Sequence, residues 1–115
     1  MAQAHFHQVQ ADLREPYRAL TKAIPDVMAG YGALHDAAFV EGALDIKTKE
    51  LIALSIAVTR ECDGCIAAHG RNLARLGATT EEVAEMIGVA ISMNGGPGTV
   101  WGPRALAAFQ EFSET

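Results

Sequence analysis

The chain predicts an all-α fold. Apolar residues recur at three- and four-residue spacings along nearly its whole length, capping residues and glycine or proline breaks fall at helix-length intervals, and no stretch alternates apolar with polar residues as a strand would. Five or six helices follow from these signals.

The first runs from about Phe6 to Ala23, with Val9, Leu13, Tyr17 and Leu20 on one face and Pro16 inside as a source of a kink. The second begins at Pro25, a residue suited to a first helical turn, and carries Val27, Met28, Tyr31, Leu34 and His35 to about Phe39. After the polar break at Gly42, Asp45 is the N-cap of a helix from Ile46 to about Arg60. Leu51, Ile52, Leu54, Ile56 and Val58 make that helix apolar nearly all round, so it is expected at the centre. Residues 62–69 open a fourth helix that ends near Leu76, with Gly77 as its stop. Thr79 or Thr80 caps the fifth, and Thr79 with Glu82 has the spacing of a capping box; Val83, Met86, Ile87, Ala90 and Ile91 follow. The break at Asn94–Gly98 reads as a turn between helices, and a last helix spans about Thr99 to Phe112. No repeat, low-complexity tract or linker divides the chain, so residues 1–115 are expected to form one domain.

Half the residues are apolar, which is a large share for a short chain with a high surface-to-volume ratio. Some of that surface is therefore expected between subunits of a homo-oligomer. The net charge is −5 and the nine basic residues are scattered along the sequence without a cluster, which argues against nucleic acid as a partner. The segment Met1–Gln8 has neither the charged start nor the apolar stretch of a leader, and no run approaches the roughly 20 apolar residues that cross a bilayer. A cytoplasmic location without membrane association is the expectation. In a reducing compartment a permanent crosslink is improbable, which leaves catalysis, redox sensing or metal binding for a cysteine pair.

That pair is Cys62-Asp63-Gly64-Cys65, followed by His69, and it holds the only cysteines of the chain. Two thiols near a proton acceptor are what reversible disulfide chemistry requires, because one thiolate attacks and the other resolves. At about 100° per residue, Cys62, Cys65 and His69 share a side of their helix with Ile66, Leu73 and Leu76, so the thiols are expected to face inward. Asp63, Gly64, Ala67, Arg71 and Arg75 fall on the side expected to face solvent. Cys65 and His69 are an i, i+4 pair, and first-turn N–H groups favour a thiolate while burial opposes it. Glu50 lies on the apolar third helix, where a carboxylate is costly without a partner. If helices three and four fold back around Arg60 and Glu61, Glu50 and His69 are equally far from the turn and become neighbours. A carboxylate beside an imidazole fixes its tautomer, and Glu50, His69 and Cys65 then form a proton path to sulfur. The alternative for Glu50 is a solvated place in the first turn.

The spacing Glu50, eleven residues, Cys62-x-x-Cys65, three residues, His69 resembles the alkylhydroperoxidase D-like branch of the carboxymuconolactone decarboxylase superfamily. The resemblance extends from about Pro25 to Phe112. It includes Asp45-Ile46-Lys47-Thr48-Lys49-Glu50, Gly77-Ala78-Thr79, Gly95-Gly96-Pro97 and Trp101-Gly102-Pro103-Arg104-Ala105-Leu106. It implies a helical core assembled into dimers, trimers or hexamers, and a thiol-dependent oxidoreductase that reduces alkyl hydroperoxides or exchanges disulfides. By position, Cys65 is the attacking thiol, Cys62 resolves it as a disulfide, and Glu50 and His69 relay protons. No bound cofactor is implied; re-reduction comes from a dithiol such as a lipoyl group on a carrier protein. The best-known peroxidase members carry histidine directly before the second cysteine, where this chain has Gly64. Members without the cysteines decarboxylate lactone acids, a poor fit to a chain that keeps the thiol pair.

Two other readings compete. Cys62, Cys65, His69 and Glu50 could ligate zinc, although closed zinc sites more often use two paired motifs. A non-enzymatic redox sensor would use the disulfide to switch an interface. Covalent haem is excluded, because Ile66 stands where its histidine would have to be. Of the remaining candidates, His5 and His7 are expected at a fraying surface end, His35 as a structural histidine, and Trp101 and Tyr31 as core or interface aromatics, with the mouth of the thiol site as their alternative place.

Overall fold

The computed structural model describes residues 4–114, so Met1–Gln3 of the segment read for a leader lie outside it. Among the described residues there are six helices and no strand: α1 (His5–Ala23), α2 (Pro25–Ala38), α3 (Ile46–Arg60), α4 (Asp63–Arg75), α5 (Thr80–Asn94) and α6 (Gly96–Ser113). None is long and apolar enough to cross a membrane.

The predicted caps act where the sequence put them. Asp45 accepts a hydrogen bond from Thr48 N at 2.7 Å to start α3, and the bonding from Thr48 holds its carboxyl below the usual range. Thr79 and Glu82 form the reciprocal capping box, with Glu82 N donating to Thr79 Oγ1 at 3.1 Å and Thr79 N to Glu82 Oε1 at 2.8 Å. The other Glu82 oxygen accepts from Lys47 Nζ at 2.7 Å, tying the starts of α3 and α5 together. α6 begins three residues before the expected Thr99, because Pro97 enters its first turn behind Gly95 at φ 67°.

The hub is α6 with α4 and α5; α3 packs across them rather than lying at the centre. Leu54, Ala57 and Val58 of α3 are buried, but Ile52 and Ile56 are about half exposed. The closest approach is at Gly70 of α4, where an added Cβ would stand 3.3 Å from both Ala108 Cβ and Phe109 N of α6. This contact corrects the expected orientation of α4. Its buried residues are Ile66, Ala67, Gly70 and Leu73, whereas Leu76 is 43% exposed and Cys65 is exposed. Small residues that hydropathy reads as neutral face the neighbouring helix because only they let two backbones come so near.

α1 packs on α4 and α2, and the start of α1 is anchored rather than frayed. Phe6 is 4% exposed in the core. Glu111 of α6 accepts from Phe6 N at 3.1 Å and from His7 N at 2.7 Å, and it pairs with the His7 ring. Burial pushes the Glu111 carboxyl up, but the His7 and Phe6 donors outweigh it and hold it below the usual value. The surface reading therefore stands for His5 and for the 40% exposed His7 side chain, and what is overturned is the expected fraying of this end. Beyond Val9, the apolar stripe of α1 stays uncovered within the chain, with Leu13, Tyr17 and Leu20 each about half exposed.

Candidate functional site

α3 and α4 form an antiparallel pair whose connection is two residues long. Glu61 takes the left-handed conformation (φ 54°) and Cys62 N donates to Ala57 O at 3.1 Å, turning the chain so that α4 runs back along α3. A left-handed non-glycine residue is uncommon and costs on the order of 1 kcal/mol, which the bonds from Glu61 N and Cys62 N back to the end of α3 offset.

This reversal brings Glu50 to His69, as the register argument requires. His69 Nδ1 and Glu50 Oε1 are 2.6 Å apart, and Glu50 is 4% exposed, so the solvated alternative is excluded. With Nδ1 committed to the carboxylate, Nε2 is the free ring nitrogen. The second Glu50 oxygen accepts from Asn72 Nδ2 at 3.0 Å. Asn72 was missed in the sequence; its signal was the i+3 position after His69, which puts both on one helix face. Two donors thus satisfy a buried carboxylate that has no lysine or arginine beside it.

Cys62 is the N-cap of α4, and its Sγ accepts from Cys65 N at 3.2 Å. The sulfurs of Cys62 and Cys65 are at bonding distance, with Cα atoms 5.2 Å apart. The two cysteines differ in surroundings: the Cys62 sulfur sits on the helix N-terminus, where negative charge is favoured, while Cys65 is the more accessible residue. Neither is in the inward position expected from the helical projection. Both line a cleft of roughly 520 Å³ between α1, α2 and α4, together with His69 and Asn72.

Leu13 and Tyr17 of α1, and Tyr31 and His35 of α2, form the other walls. Tyr31, 59% exposed, thus takes the mouth position that was the alternative to the core, and Trp101 packs partly buried against the core without lining this cleft. His35 stacks on Phe39 (4.4 Å, 18°), and Phe39 in turn on His69 (5.9 Å, 16°). This aromatic ladder at the end of α2 packs on the face of the His69 ring, while Glu50 bonds its Nδ1. Phe39 carried no sequence signal beyond ending α2. Gly64, at the position noted above, lies under α1: a Cβ there would be 3.0 Å from Leu13 Cδ1.

The chemistry available is a dithiol–disulfide couple beside an oriented imidazole. Among the described residues no group of three or more His, Cys, Asp or Glu is arranged to hold a metal ion. Glu50 is bonded to His69 and Asn72, and the two sulfurs are at bonding distance from each other.

Comparisons with known proteins find relatives of this chain. Residues 25–112 match the model of the carboxymuconolactone decarboxylase family. The chain is similar to an uncharacterized protein of Cupriavidus necator, 37% identical over 98 residues that cover 85% of this chain and 87% of that one. It is also similar to an uncharacterized protein in the cox locus of Paracoccus denitrificans, 40% identical over 79 residues that cover 69% and 71%. Among solved structures it resembles the apo form of a carboxymuconolactone decarboxylase family protein from Legionella pneumophila. That match has a TM-score of 0.93 at 42% identity, covering 96% of this chain and 99% of the other. A protein of Thermotoga maritima follows with a TM-score of 0.78 at 28% identity, covering 97% and 96%.

Proposed function

The chain belongs to the carboxymuconolactone decarboxylase family, and we propose that within it this protein is a thiol-dependent oxidoreductase of the alkylhydroperoxidase D type, reducing hydroperoxides or exchanging disulfides. The observation that carries the reading is the Glu50–His69 pair at 2.6 Å beside a cleft that both cysteines line.

In the dithiol form, His69 Nε2 takes the Cys65 proton and the imidazolium is held by Glu50. The Cys65 thiolate attacks the outer oxygen of R–O–O–H; the O–O bond breaks, Cys65 becomes a sulfenic acid, and the leaving R–O⁻ takes a proton from His69. Cys62, as a thiolate favoured by the α4 N-terminus, attacks the Cys65 sulfur. The disulfide forms, the S–O bond breaks, and hydroxide leaves as water after taking one proton. Reduction runs through the same asymmetry: an external dithiol attacks the accessible Cys65 sulfur and expels Cys62 as the thiolate that the helix N-terminus stabilises. The more exposed cysteine meets both substrates while the one at the N-cap serves as resolver and leaving group, which supports the assignment of roles. Gly64 leaves this site without a histidine donor next to Cys65, so disulfide exchange is the less demanding of the two activities.

No cofactor is bound in this scheme; a lipoyl group on a carrier protein is the proposed reductant. The protein is further proposed to be a homo-oligomer, since Ile52, Ile56, Val89, Met93 and Val100 leave a second apolar surface uncovered. Light scattering of the full chain tests that point.

The central test is mass spectrometry after stoichiometric hydroperoxide and then a lipoyl dithiol, on wild type, Cys62→Ser and Cys65→Ser. Wild type is expected to cycle between disulfide and dithiol, Cys62→Ser to stop at a Cys65 sulfenic acid, and Cys65→Ser to consume no peroxide. Peroxide consumption by Cys65→Ser and not by Cys62→Ser reverses the roles. A disulfide that forms once without turnover leaves a redox sensor, and zinc at one per chain protecting both thiols from alkylation sinks the redox reading altogether.

A further inference from the structure

The arginines scattered in the sequence are gathered by the fold. Four of the six, Arg14, Arg18, Arg71 and Arg75, line adjoining depressions between α1 and α4 on a chain whose net charge is −5. Arg18 is neutralised by Glu15 at 2.5 Å, with both side chains largely exposed. Arg14, Arg71 and Arg75 have no carboxylate partner among the described residues, and Arg71, which borders both depressions, is partly buried. A guanidinium without a counter-charge keeps its planar fork free for an anion of matching geometry.

The position of this charge relative to the thiols selects the ligand. The groove holding Arg14 and Arg71, roughly 720 Å³, shares Leu13, Tyr17 and Gly64 with the thiol cleft, so the two are continuous. Gly64 and Arg71 are seven residues apart on one face of α4, two turns or about 10 Å along the axis. Between the charged end and the sulfur the floor is apolar, formed by the half-exposed Leu13 and Tyr17. We propose that this groove binds the carboxylate of an amphipathic organic acid, seating it on Arg71 and Arg14 while the acyl chain lies on Leu13 and Tyr17 and the far end reaches Cys65. An acid of about eight carbons spans that distance. Resting on the oxidoreductase reading, this names the preferred substrates as hydroperoxides of medium-chain acids. The groove itself is tested without it.

Calorimetry of the oxidised full-length protein with octanoate, octanamide and inorganic phosphate separates the readings. Octanoate is expected to bind saturably at one per chain, at least tenfold more tightly than octanamide or phosphate. Arg71→Gln and, independently, the exposed Arg14→Gln are each expected to weaken octanoate tenfold or more, with circular dichroism verifying the fold of both. Equal binding of octanamide makes the groove merely apolar, equal binding of phosphate makes it a general anion site, and no saturable octanoate binding means something else fills it; each overturns the proposal. Turnover is then compared between 8-hydroperoxyoctanoate and its methyl ester. Wild type is expected to favour the acid at least tenfold in kcat/KM, and Arg71→Gln to bring the ratio close to one. Tight octanoate binding with neither hydroperoxide consumed upholds the groove and fails the peroxidase arm of the oxidoreductase reading, whereas equal consumption of acid and ester upholds that arm and overturns the groove's role.

Discussion

The Glu50–His69 contact makes a prediction in which stability and chemistry come apart. Replacing His69 by leucine leaves the Glu50 carboxylate 4% exposed with Asn72 as its one remaining donor. Removing one partner of a buried pair costs about 3–5 kcal/mol, and the surviving Asn72 bond places this case near 3. Replacing Glu50 by leucine is milder. The His69 side chain is 17% exposed and can turn to water, so the loss is chiefly that of the Asn72 amide's acceptor, about 2 kcal/mol in all. The double replacement removes both polar groups and puts two apolar side chains of similar size in contact, which costs little beyond the unmet Asn72 amide, about 2 kcal/mol. The singles therefore sum to about 5 kcal/mol while the double loses less than half of that, a coupling of about 3 kcal/mol. Urea unfolding followed by circular dichroism, at one fixed protein concentration and with the disulfide intact, measures all four corners of the cycle. Peroxide and disulfide turnover should be lost in all three variants despite the recovered stability of the double. Additivity within about 0.5 kcal/mol would mean that the two side chains do not share the buried contact, and the relay would lose its structural basis.

Three further outcomes follow from the packing. Phe6→Ala should cost about 3–4 kcal/mol in the same urea assay, because the ring is buried in the core; a loss under 1 kcal/mol would show that the start of α1 is not docked. Glu111 has its carboxyl held down by His7 and Phe6 against the upward push of burial, so its contribution is fully present above the unfolded value of about 4.3 and is lost as pH falls through the lower folded value. Glu111→Gln should accordingly flatten the acid limb of stability below about pH 4.3, and an unchanged limb would contradict the assignment. Gly70→Val should destabilise by about 1–3 kcal/mol although valine is no worse than glycine in a helix, since its Cβ meets Ala108 and the Phe109 backbone at 3.3 Å.

Much of the site could be read before folding. Caps and breaks are local chemistry, which is why Asp45, the Thr79–Glu82 box and Gly77 mark helix ends to within a residue. The pairing of Glu50 with His69 was also accessible, because two helices joined by a tight turn must match residues equidistant from it. What the helical projection misjudged was the outer and inner side of α4, and with it the exposure of Cys65. Hydropathy credits Ile66, Leu73 and Leu76 but not Ala67 or Gly70, yet both small residues are buried, Gly70 directly against α6, while Leu76 is exposed.

Sequence alone therefore determined the all-helical class, the helix boundaries apart from the start of α6, and the four-residue set of Glu50, Cys62, Cys65 and His69, since each rests on interactions within a few residues or across one short turn. Tertiary structure alone decided the rest. The seating of α4 on α6 turned Cys65 outward, the docking of Phe6 and His7 on Glu111 laid α1 beside the thiols, and that placement brought Arg14 next to Arg71. Such contacts depend on which of several competing faces buries most closely, a choice made between helices remote in sequence that no single helix's periodicity contains.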